Sequence, residues 1–173
     1  MTGAHDLPEL ALSVRQPWAW AIIRAGKGVE NRTPFAIGKG QLARAVGKRI
    51  AIHAAKGMTR GEYESAADFM RQIGVACPPA SELARGGMVG AVSVTGTVTA
   101  RSKCFSPWWM GGSGLVLEHP VACAFVPAVG ALGLFRWQPA DPSTVPPPAR
   151  WMLPRPTEAQ PAPSARDLFG EAP

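Results

Sequence analysis

The sequence has little of what marks the commonest specialised classes. Three cysteines (Cys77, Cys104 and Cys123) form no Cys-x-x-Cys pair and leave one over. A disulfide framework needs matched pairs, so none is expected, which suits a reducing compartment. Cys104, His119 and Cys123 match no zinc-ligand spacing, and neither a metal nor any other cofactor is expected. No apolar run approaches the roughly 18 residues of a spanning helix, and the first residues lack a basic-then-apolar leader pattern. The expectation is a cytoplasmic protein with no membrane partner. The nucleophile elbow Gly-x-Ser-x-Gly, the phosphate-cradling P-loop and His-Glu-x-x-His are also missing. Tyrosine is scarce, at one residue against six tryptophans. That bias favours core or stacking platforms over a wet contact surface.

What is present describes an ordinary globular domain. Of 173 residues, 46% are apolar, enough to bury a core at this length. The net charge is +6, and it is unevenly placed. Residues 1–138 hold 15 Lys and Arg against 8 Asp and Glu (+7), whereas residues 139–173 hold 3 against 4 (−1). A basic domain attracts phosphate-bearing partners whatever their sequence, and moderate positive charge also serves solubility alone. Ten of the 18 prolines fall in residues 139–173, a density that excludes a sheet interior or a long helix. The organisation expected is an arm over residues 1–9, a domain over 10–138, and a Pro-rich tail over 139–173, extended or disordered. The tail has apolar points at Trp151 and Leu153. Its end, Ala165–Phe169, reads either as a short docking peptide for a protein partner or as a disordered terminus.

Periodicity sets the elements. Ala11–Val14 reads as a strand, and Pro17 suits the first position of a helix carrying Trp18, Ala21, Ile22 and Ala25, stopped at Gly26. Arg49–His53 alternates, with Ile50 and Ile52 inward and Arg49 and His53 outward. Thr59 with Glu62 makes a capping box for a helix whose face is Tyr63, Ala66, Ala67, Met70 and Ile73, and Ser81–Arg85 suggests one further turn. Val89–Val98 is a strand with Val92, Val94 and Val98 on one face, its glycines suggesting bulges. Gly114–Leu117, Val121–Phe125 and Leu132–Trp137 read as further short strands. Together these give a mostly β (α+β) fold, a small barrel with two or three helices packed on it.

The chemistry concentrates in Lys27-Gly28-Val29-Glu30-Asn31-Arg32. If this turn enters a strand, Glu30 and Arg32 share a face, and a carboxylate between two cations orients both. Such a cluster either receives a phosphate or a base edge or is a salt bridge that closes the turn. Arg15-Gln16-Pro17-Trp18 lies at a strand-to-helix junction, where helix N–H groups face an anion and Trp18 stacks a base or joins the core. His53 and Lys56 follow the outward face of their strand, and His53 is either a general base near Lys27 or a packed, hydrogen-bonded histidine. Trp108-Trp109-Met110-Gly111-Gly112 is either a stacking lip over a cleft or a plug over the barrel end.

Several of these segments resemble one family. Leu12-Ser13-Val14-Arg15-Gln16-Pro17-Trp18-Ala19, then Gly26-Lys27 and Glu30-Asn31-Arg32, are similar to the opening of the activating-signal-cointegrator-1 homology (ASCH) domain. Ile50–Ala54, Met88-Val89-Gly90 and Gly130–Phe135 resemble its later strands, so the likeness spans roughly residues 10–138. The resemblance implies a PUA-like β-barrel with a cleft lined by the Lys-x-x-Glu-x-Arg turn. It also implies an RNA-related role: RNA binding, ribonuclease action, or amide hydrolysis of acetylcytidine. In that amidohydrolase branch a Lys, a Thr three residues on and a later Glu act. Lys27 matches the first, Glu30 stands at the second, and the central strand offers Ser93, Thr95 and Thr97 where the third is sought. The leading expectation is a binder of RNA, single-stranded nucleic acid or a nucleoside. Arg15, Gln16, Trp18, Lys27, Glu30, Arg32, His53, Lys56 and Trp108 would line its site. The alternatives are a hydrolase using Lys27, Glu30 and His53, and a protein-interaction adaptor.

Overall fold

The computed structural model describes residues 6–38 and 41–154. Its elements run β1 (Leu10–Val14), α1 (Trp18–Arg24), β2 (Val29–Arg32), α2 (Pro34–Ile37), β3 (Arg49–Ala54), α3 (Arg60–Gln72), β4 (Gly87–Val98), β5 (Ser113–Pro127) and β6 (Leu134–Arg136). The six strands form one sheet in the order β2-β5-β4-β3-β1-β6. Only β1 and β3 are parallel, with Leu12 beside Ile52 and Ser13 beside His53. β2 and β1 stand four places apart, which in a flat sheet is roughly 19 Å at the usual strand spacing. Yet Arg32 Nη2 on β2 donates to the Ser13 carbonyl on β1 at 2.7 Å. The sheet therefore curls into a half-barrel, closed on one side by a side chain.

Strand alternation builds the core. Leu12 and Val14 of β1, Ile50 and Ile52 of β3, Val92 and Val94 of β4, and Leu115 and Leu117 of β5 pack together with Ile22 and Ile23 of α1. Fully burying such a side chain contributes about 1.5–3 kcal/mol. Gly90 lets α1 come this close: a Cβ there would lie 2.4 Å from the Val121 carbonyl oxygen and 2.8 Å from Ile23 Cδ1. The register of β4 against β5 slips on either side of Gly90 and again before Gly96, the bulges that the glycines suggest.

Four expectations change. Pro17 sits one residue before α1, and Gln16 Oε1 accepts the Trp20 N–H at 3.0 Å in place of a side-chain cap on Pro17. The segments Gly114–Leu117 and Val121–Phe125 are one strand, β5. Between the pairs Ala91–Val121 and Ser93–Glu118, two residues of β5 (His119 and Pro120) face one of β4, so a bulge absorbs the proline that cannot donate to the ladder. The outward face of β3 is covered where His53 lies: His53 is 1% exposed, and Phe135 sits edge-on to its ring at 5.9 Å. Finally, Met152 rather than Leu153 anchors the segment after Trp137. A 3-10 turn over Arg150–Met152 drops Met152 among Met58, Ala80 and Leu83, while Trp151 meets Tyr63 and Leu153 stays exposed.

The capping box forms as read, with the Thr59 hydroxyl accepting from Glu62 N and the Glu62 carboxylate accepting from Thr59 N. Among the described residues no helix is long and apolar enough to cross a membrane. The start of the arm and the Ala165–Phe169 segment lie outside the described residues.

Candidate functional site

β2 places the charged turn on an edge strand, and the period of two brings Glu30 and Arg32 to one face. Glu30 is held from two sides: Lys27 Nζ donates to Oε2 at 2.6 Å, and Arg32 Nη2 lies 3.2 Å from Oε1. Lys27 Nζ also donates to the Val29 carbonyl and sits 5.6 Å from the centre of the Trp18 ring. Lys27 is 2% exposed and Glu30 6%. Two charges this far out of water are tolerated because each meets an opposite charge and further polar groups. The Arg32 guanidinium bridges Glu30 and the Ser13 carbonyl, but its Nε–H is buried with no acceptor.

A cleft of about 610 Å³ opens where β2, the ends of β1 and β3, and the 129–132 loop meet. Trp18, Val129 and Leu132 give it apolar wall, and Arg15, Arg32 and Lys56 bring three cations against the one carboxylate of Glu30. Arg15 pairs outward with Glu62, both about half exposed; such an ion pair is worth only about 0–1 kcal/mol, so Arg15 is available to a ligand. Lys56 is exposed.

Ser13 and His53 lie at the base of this cleft. The hydrogen bonds fix the imidazole tautomer. His53 Nε2 is 3.0 Å from the Ala128 carbonyl, which only accepts, so Nε2 carries the proton. Nδ1 is then the acceptor, and the Ser13 hydroxyl donates to it at 3.0 Å. Burial holds the His53 pKa below its ordinary value of 6.5; the Ala128 bond opposes that and the Lys56 charge adds to it. The imidazole is therefore neutral at pH 7. Because the unfolded chain takes up this proton at a higher pH than the native one, stability is present above pH 6.5 and is lost as the pH falls below it. Thermal unfolding between about pH 7 and about pH 5 is expected to show a falling midpoint that flattens in His53→Asn; an unchanged slope in the variant would assign the acid sensitivity elsewhere.

Of the residues expected from sequence, Arg15, Trp18, Glu30, Arg32, His53 and Lys56 meet at the cleft. Three do not. Lys27 is buried behind Glu30. Gln16 is 2% exposed, with its amide spent on the Ala84 carbonyl and the Trp20 N–H. Trp108 is 4% exposed and packs with Ala21 of α1 and Met70 of α3, away from the cleft, and Asn31 ties its loop down through the Trp108 carbonyl and the Met110 N–H. The start of α1 also offers less to an anion than expected, since the N–H groups of Ala19, Trp20 and Ala21 are already bonded to Arg15, Gln16 and Pro17. Among the described residues no group of three His, Cys, Asp or Glu is arranged to hold a metal ion.

No family model matches the chain, and no curated protein is similar to it. The site is therefore read from its own geometry. Ser13 and the 129–132 loop are the parts that sequence reasoning missed. The available signals were the single polar residue in the apolar alternation Leu12-Ser13-Val14 and the glycines bracketing Ala131-Leu132.

Proposed function

We propose that this protein binds single-stranded RNA, with one nucleotide seated in the cleft and flanking phosphates on Arg15, Arg32 and Lys56, in the manner that its ASCH-like segments imply. The observation that carries this reading is the composition of the cleft, an apolar wall facing three cations in a space of about 610 Å³. Small-ligand sites of roughly 300–1,000 Å³ combine apolar wall with a few polar groups in this way. Base faces suit the first and phosphates the second. The excess positive charge of residues 1–138 supplies the long-range attraction, and a reducing cytoplasm, where RNA is met, suits the three free cysteines.

The test is binding of a short single-stranded RNA across a salt series. Three phosphate contacts on a single strand give a slope of log affinity against log salt of about −2, so affinity falls about 20-fold between about 50 and 200 mM salt. Binding that ignores salt, or none at all, removes the proposal.

A further inference from the structure

A hydrogen-bond chain at the base of the cleft joins β1, β3 and the residue after β5. Ser13 donates its proton to His53 Nδ1, and Ala128 holds the ring from the other side through Nε2. This is the order of groups that activates a serine: a hydroxyl, a neutral imidazole acceptor, and an acceptor that fixes the tautomer. A backbone carbonyl here occupies the place a carboxylate holds elsewhere, so it orients the ring without adding charge.

The loop over the pair is built to its shape. A Cβ on Gly130 would lie 2.4 Å from His53 Cε1, 2.7 Å from Nδ1 and 2.7 Å from Ser13 Oγ. Only glycine lets the chain pass this close without displacing the pair. Among the described residues the backbone N–H groups of Gly130 and Ala131 make no hydrogen bond, and both residues line the cleft. Free N–H groups beside a nucleophile are what a developing oxyanion requires. Arg32, bonded to the carbonyl of Ser13 itself, adds positive charge to the same wall.

We propose that Ser13 is a nucleophile, with His53 its general base, acting on an acyl ester or amide borne by an anionic molecule. The anionic character rests on the cationic cleft described above; the nucleophile does not. Ser13 Oγ attacks the acyl carbon while its proton passes to His53 Nδ1. The tetrahedral intermediate collapses and expels the alcohol or amine, which leaves with that proton. Water, deprotonated by His53, then cleaves the acyl-serine, releasing the carboxylic acid and restoring the hydroxyl. One water is consumed, and no oxidant or metal is needed.

An uncharged alkyl fluorophosphonate tests the nucleophile directly, since attack by Oγ expels fluoride and leaves a stable phosphonate on the serine. Intact-mass and peptide analysis are expected to find one adduct, on Ser13, absent in Ser13→Ala and formed about 100-fold more slowly in His53→Gln. If His53→Gln does not fold, the pH profile of the unmodified protein serves. Labelling should stay fast at pH 6.5, where burial keeps His53 neutral, and slow at lower pH as His53 takes its proton in a cleft shared with Lys56, Arg15, Arg32 and Glu30. No adduct, an adduct on another residue, or a rate flat across that range would overturn the assignment. Salt-dependent RNA binding measured on the same preparation separates the two proposals. Labelling without RNA binding keeps the nucleophile and removes the binding reading; RNA binding without labelling does the reverse.

Discussion

Glu30→Gln is expected to lower folding stability by about 3–5 kcal/mol, a large share of the roughly 5–15 kcal/mol available to a domain. The change keeps the shape of the side chain and removes its charge. It leaves the ammonium of Lys27, 2% exposed, with neutral acceptors alone, the glutamine amide oxygen and the Val29 carbonyl, beside the Trp18 ring, and it takes the countercharge from the Arg32 fork as well. Lys27→Met should cost less, because Glu30 keeps Arg32 as a partner and the thioether fills much of the lysine stem's space. The double variant Lys27→Met/Glu30→Gln is expected to recover part of the loss, since the unpaired buried charge is gone. Denaturant unfolding of the four proteins measures this cycle. A loss below about 1 kcal/mol for Glu30→Gln, or losses that simply add, would mean that the pair is solvated and plays no part in holding β2.

Arg32→Lys isolates geometry from charge. Arginine reaches both Glu30 and the Ser13 carbonyl through one planar guanidinium, whereas a lysine has neither the fork nor the length to keep both. Loss of the bond that closes the half-barrel is expected to cost about 1.5–3 kcal/mol. Relief of the orphaned Nε–H partly offsets that. RNA affinity should fall with the lost positioning, but its salt slope should stay near that of the parent protein. Arg32→Ala, in contrast, should also flatten the slope by about 0.7, one phosphate contact fewer on a single strand. Equal slopes for all three proteins would mean that Arg32 does not meet phosphate.

Much of the fold was legible because its signals are local. The strands at Ala11–Val14 and Arg49–His53, the Thr59–Glu62 box and the stop at Gly26 each follow from a few neighbouring residues, and the structure reproduces them. Where a register slip decides, the sequence misleads. His119-Pro120 reads as a break, but a bulge against Val92 carries the strand through it. The candidate site was half legible. Glu30 and Arg32 share a face by simple alternation, and the sequence brought Arg15, His53 and Lys56 to the same neighbourhood. Depth was not legible. Nothing local says that the lysine of a charged turn is buried beneath its glutamate, or that Trp108 points inward. Ser13 stayed hidden because its partner is 40 residues away on a parallel neighbour. That pairing is fixed only by the crossover between the two strands.

The measurement that bears most directly on the central claim is a backbone amide chemical-shift titration with a short single-stranded RNA at low salt. The shifts are expected to concentrate at the cleft, on Ser13, Arg15, Arg32, Lys56 and the 129–132 loop, and to fade together as salt is raised. Shifts centred elsewhere, such as on the smaller groove lined by Gln41, Arg44 and Lys48, or spread evenly over the basic surface, would contradict it.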